Sequence, residues 1–235
     1  MHQKTKTFLF VCFFIISCFF IVNFIFYTLE KEKQETLLTD ESKYFDQIIS
    51  DEINPFCNGV GYKEYKKLTL AQINTIDIEI FDRNSWYENI FNLSFGAGYV
   101  IDAKYRKLYT ADVVINYKDS IECKFPAEIR ISGDYKDHLD KKDLMASMDV
   151  KLLEGNISEI TKFKLFLPET RKSENEIVTT TLLEELGFLS PRTAFINVRM
   201  LNANSMYQEK LYLFQEKFSK EMVEYYKFRE GPLLE

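Results

Sequence analysis

Between Ser120 and Ser132 the chain reads SIECKFPAEIRIS, where Cys123, Phe125, Ala127, Ile129 and Ile131 alternate with Glu122, Lys124, Glu128 and Arg130. A period of two belongs to a half-buried strand, because successive side chains leave a pleated backbone on opposite faces. KLYTADVVINY, ending at Tyr117, precedes it across Lys118, Asp119 and Ser120, so the two runs form a hairpin. Pro126 has no N–H to give to a ladder and marks an edge or a bulge.

Four further runs carry strand character: SMDVKLL, KFKLFL, TAFINVRML and QEKLYLFQE. In the second, Phe163, Leu165 and Leu167 share one face and Lys162 and Lys164 the other, and Pro168 ends it. Ser173 to Glu176 has the S-x-x-E form of a capping box, followed by a helix with Val178, Leu182 and Leu186 as its apolar stripe and Gly187 as its stop. A last helix is expected from about Ser219 to Phe228. The order after residue 107 is therefore β, β, β, β, α, β, β, α. This predicts an α+β fold: a mostly antiparallel sheet with one inserted helix.

Upstream, IDIEIF (Ile76 to Phe81) reads as a short strand, and Ser85 to Glu88 as a second S-x-x-E helix start. Residues 56–106 are expected to be an accessory α+β segment, and residues 28–55, polar and without Gly or Pro until Pro55, a helical stalk. Residues 1–7 form a short basic head. The uncharged run from Phe8 to Tyr27 is long enough, at ~1.5 Å per helical residue, to cross a hydrocarbon core of roughly 30 Å. A transmembrane anchor in the lipid bilayer is expected there. As a signal anchor after a basic head, it would leave the domain outside the cytoplasm.

Composition excludes some partners. A net charge of −6 is the reverse of the basic imprint that phosphate neutralisation leaves on nucleic-acid-binding proteins, so no nucleic-acid partner is expected. Two histidines and no CxxC pair argue against zinc, and Asp134, Asp137 and His138 read as a solvated loop rather than a metal cluster. Cys57 and Cys123 are available for one disulfide in an oxidising compartment. Neither a G-x-S-x-G elbow, an H-E-x-x-H pair nor a Walker loop points to a hydrolase.

The stretches AEIRISGDYKDH, KFKLFLPETR, ELGFLSPRTAFINV and LFQEKFSKEMVE, in that order, resemble the amino-terminal lobe of CotH-type kinases, a family named after a spore-coat protein and built on an atypical kinase-like fold. The resemblance covers roughly residues 120 to 235. It implies a kinase-like lobe over 107–235 that binds ATP with magnesium and, joined to a carboxyl lobe, passes a phosphoryl group to a protein or surface-polymer substrate at the cell envelope. No catalytic residue is expected within this chain.

Such a lobe needs backbone N–H groups in a turn and a fixed cation for the phosphates. Ser132 and Gly133 would supply the turn. Lys164 would be the cation, held by Glu176, with Lys151 as second candidate, Glu174 as the alternative carboxylate, and Arg130 and Arg171 adding charge. Leu213, Gln215 and Glu216 would border the adenine. The alternative from a different class is a non-catalytic, membrane-tethered scaffolding domain of envelope assembly.

Overall fold

The computed structural model describes Cys57 and residues 69–118, 120–201 and 206–229. β1 (Ile73–Ile80) is followed by α1 (Arg83–Phe95), the hairpin β2 (Tyr109–Tyr117) and β3 (Glu122–Ile131), and two very short strands, β4 (Leu139–Asp140) and β5 (Met145–Ala146). Then come β6 (Met148–Leu152), β7 (Lys162–Phe166), α2 (Glu174–Glu185), β8 (Thr193–Leu201), β9 (Tyr207–Glu216) and α3 (Lys220–Tyr225).

Seven of these strands close into a barrel in the order β1-β2-β3-β6-β7-β9-β8. Every neighbouring pair is antiparallel except the seam, where β8 runs parallel to β1. Asp77 faces Arg199 across that seam, and the guanidinium grips the carboxylate with both Nε and Nη2. A bidentate pair of this geometry fixes register as well as charge. Asn116 Nδ2 donates to Asp77 Oδ2 at 3.0 Å from the other neighbouring strand.

The alternation read from the sequence fills this barrel. Ile76 and Ile78, Val113 and Ile115, Phe125 and Ile129, Val150, Phe163 and Leu165, Val198, and Phe214 belong to one buried cluster. A small barrel leaves only enough interior for side chains, so every second residue of each strand must be apolar. Trp86, Ile90 and Leu93 of α1 join the same cluster, with Trp86 edge-on to Tyr109 at 5.2 Å. A disulfide links Cys57 to Cys123 on β3.

The expected α+β, kinase-lobe sheet with one inserted helix is thereby corrected to a closed barrel. β1, placed by the sequence reading in an accessory segment, is a stave of the barrel, and its parallel contact with β8 removes the sheet edge that an open lobe keeps. Local alternation is the same for an open and a closed sheet, so pattern alone could not choose between them. The ATP-binding, kinase-type lobe is withdrawn as an architecture.

The placement in the membrane is corrected as well. Among the described residues no helix is long and apolar enough to cross a membrane. The longest, α1, has 13 residues, against about 20 needed for a span. The expected anchor over Phe8 to Tyr27 and the stalk over 28–55 lie outside the described residues. The description as a single-pass, signal-anchored protein with its domain outside the cytoplasm is therefore not carried forward.

Two caps also differ from expectation. α1 begins at Arg83 with Asp82 as its cap, whose side chain accepts the Ser85 N–H, so Ser85 lies inside the first turn. Ser173 does occupy the cap position of α2 but makes no side-chain capping bond. Gly187, with φ +79, ends α2 as foreseen.

Candidate functional site

Register builds the site. Across β3, β6, β7, β9 and β8, Arg130 faces Asp149, Asp149 faces Lys164, Lys164 faces Gln215, and Gln215 faces Thr193. Five polar side chains thus form one lateral row on the outer face of the barrel, since their neighbours Ile129, Val150, Leu165 and Phe214 point inward.

Helix α2 lies across this row and is fastened to it by polar contacts. Gln215 Nε2 donates to Glu176 Oε1 at 2.6 Å, and the hydroxyls of Thr180 and Thr193 meet at 2.6 Å. Thr180 is the buried side chain of the helix. The polar row beneath thus takes the polar face of α2, and the apolar stripe of Val178, Leu182 and Leu186 faces solvent, each residue more than half exposed.

Between the row, α2, the turn Pro168–Arg171 and the loop after β3 opens a cleft of about 1010 Å³. Asp149 lines it. One carboxylate oxygen takes both Arg130 Nε at 3.1 Å and Arg130 Nη2 at 3.0 Å. The other accepts from Ser132 Oγ at 3.3 Å and lies 3.7 Å from Lys164 Nζ. Arg171 spreads over the Phe166 ring, 4.3 Å from its centroid, with Lys164 Nζ 5.6 Å from the same ring. Arg171 Nε is buried without a hydrogen-bond partner. Two cations therefore share the Asp149 carboxylate, and a third, Arg171, lines the same cleft. At the far wall Arg106 and Asp134 pair at 2.7 Å, and the guanidinium holds the Asp134 carboxyl below its usual range.

The anticipated residues separate into two groups. Arg130, Ser132, Gly133, Lys164, Glu176, Gln215 and Glu216 all line the cleft. Lys151 does not, because it points along the outer face to Glu128 at 2.9 Å, and Leu213 is buried in the sheet. The partnership expected between Lys164 and Glu176 is absent: Lys164 turns to Asp149, and Glu176 takes Gln215. Glu216 borders the cleft but is consumed by Arg192, whose Nε and Nη2 both reach it at 2.7 Å in a nearly sealed pair.

Asp149 escaped the sequence reading. Its signal was present in SMDVKLL, where Asp149 shares the outward face with Lys151, but only register shows which basic residues flank it.

Among the described residues no group of three or more His, Cys, Asp or Glu side chains is placed to hold a metal ion. No step through a metal is derived. Compared with protein-family models, curated proteins and solved structures, the chain matches none of them.

Proposed function

We propose that the chain binds a compact phosphate-bearing anion in the cleft between the Arg130–Asp149–Lys164 row and α2. The observation that carries this reading is the set of cations along one wall: Arg130 and Lys164 share the single carboxylate of Asp149, and Arg171, on the adjoining turn, keeps a buried Nε without a partner. A buried N–H of a guanidinium left unpaired is costly, and an incoming oxyanion would satisfy it. ATP is the member of that ligand class named by the resemblance to CotH-type kinases. Phosphoryl transfer to a protein or surface polymer belongs to the same resemblance, and none of the cleft residues is assigned a catalytic role.

The test is a thermal-shift and calorimetry series on the full chain with inorganic phosphate, ADP and ATP. A ligand that binds only the folded state raises Tm with the logarithm of its concentration above Kd, adding about 2.7 kcal/mol of stability at a hundredfold excess over Kd. The Lys164→Ala, Arg171→Ala double variant removes the shift. No shift with any of the three at millimolar concentration would sink the proposal.

A scaffolding role is favoured by a separate observation, the exposed apolar row Val178, Leu182 and Leu186 of α2. That helix also carries Glu174, Glu176, Glu184 and Glu185 and has no basic residue. Its surface suits a partner segment that presents apolar side chains among lysines and arginines.

A further inference from the structure

We propose that His138 contacts the ligand of the cleft, held by Ser147 as the neutral tautomer whose Nε2–H donates to a tetrahedral oxyanion bound beside Lys164 and Arg171. This rests on the anion-binding reading above and adds a fourth donor to it, one that changes charge with pH.

The tautomer follows from a fully buried hydroxyl. Ser147 is 0 % exposed, and its Oγ accepts the Leu167 N–H at 3.0 Å. The hydroxyl proton must then go to another acceptor, because an unpaired buried donor is costly. His138 Nδ1, 3.0 Å away, is the acceptor within reach. A ring that accepts at Nδ1 and is neutral carries its proton on Nε2.

The ring is also fixed in place. Gly133, at φ +100, leaves no room beside it: a Cβ there would lie 2.2 Å from both Cγ and Cδ2 of His138. The Phe166 ring stands 5.8 Å away on the other side, and His138 lines the cleft. Ser147 ties the same frame to the neighbouring cation. Leu167, whose N–H it receives, accepts from Thr170 N at 3.0 Å and Thr170 Oγ1 at 2.7 Å, closing the turn that presents Arg171.

The charged groups facing the ring come from three elements. Asp134 and Asp137 lie on its own loop, Lys164 on β7 and Arg171 on the turn after it. Burial, with help from Arg171 and Lys164, holds His138 below its ordinary value, against the opposite pull of Asp137 and Asp134. The imidazole is therefore neutral at pH 7 in the empty cleft. An oxyanion seated against Nε2 adds a negative charge at the ring and raises its proton affinity, so binding and protonation of His138 reinforce each other.

The chain has two histidines, so His2→Gln leaves a single imidazole to observe. In that variant of the full chain, ring-nitrogen NMR at neutral pH is expected to show the Nε2–H tautomer. Sodium sulfate, which does not titrate in this range, is expected to move the Nε2 signal and raise the His138 midpoint, and inorganic phosphate to do the same. Ser147→Ala mixes the tautomers, and His138→Gln weakens sulfate binding about tenfold, the scale of one hydrogen bond to a charged group. An Nδ1–H tautomer overturns the proposal. So does a midpoint indifferent to sulfate while a Tm shift lost in Lys164→Ala shows that sulfate binds. If neither sulfate nor phosphate shifts Tm at all, the cleft reading fails first and this one with it.

Discussion

Gly133 and His138 occupy one space. The glycine backbone, at φ +100, passes so close to the imidazole that a Cβ would fall 2.2 Å from two ring carbons and 2.8 Å from the His138 Cβ. Gly133→Ala is expected to destabilise the fold by about 1–3 kcal/mol, from the left-handed backbone and the displaced ring together. Urea denaturation reads the first effect. Calorimetry with phosphate reads the second, a loss of anion affinity that a purely backbone penalty would not cause.

Asp149 and Lys164 predict a change of opposite signs. Asp149→Asn leaves Arg130 and Lys164 without their shared carboxylate, so stability falls by about 1–3 kcal/mol, as for a half-buried charge pair broken on one side. Anion affinity rises in the same variant, because the competing internal anion is gone. Lys164→Ala lowers it. Phosphate titrations of both variants check the pair, and equal losses in the two would refute the competition.

Glu216 is a structural anchor. Its side chain is 1 % exposed and receives two N–H groups of Arg192, which also donates to Ser158 O at 2.6 Å and stacks on Tyr225 at 3.9 Å. Glu216→Ala strands the buried guanidinium and is expected to cost about 3–5 kcal/mol in chemical denaturation. A variant that folds normally and loses only ligand binding would restore Glu216 to the cofactor role expected from the sequence.

His138 sets the acid side of the stability profile. Its folded value is lowered below the ordinary 6.5, so the folded state binds its proton less readily than the unfolded chain does. The contribution is complete above pH 6.5 and is lost as pH falls through the depressed value. Tm measured from pH 8 down to pH 5 should decline over the lower part of that range. The decline should flatten in His138→Gln, and an unchanged slope there would assign it to other groups. Asp140, although burial alone would raise it, is held low by Lys210 and the amides of Lys142 and Asp143, so its own contribution is lost only at more acid pH.

Much of the molecule was legible before any coordinates. The hairpin around Ser120, the strands at Met148, Lys162, Thr193 and Tyr207, and the helix ending at Gly187 follow from local alternation and turn residues. Eight of the eleven site residues named from the sequence line one cleft. The errors were non-local. The stripe of Val178, Leu182 and Leu186 looked like a core face, yet it lies outward because the sheet surface under α2 carries Gln215 and Thr193. Glu176 was matched to Lys164 by proximity along the chain, while Asp149, on a neighbouring strand, was the closer carboxylate.

The sequence by itself determined where strands run and which of their faces is apolar, since both depend on residues within a few positions of one another. Only the tertiary structure decided that β1 closes against β8, and that Arg130, Asp149, Lys164 and Gln215 stand in one row. Strand register is a property of pairs distant along the chain. The period of two repeats identically at every pairing that keeps the apolar face inward, so it leaves open which polar residues become neighbours.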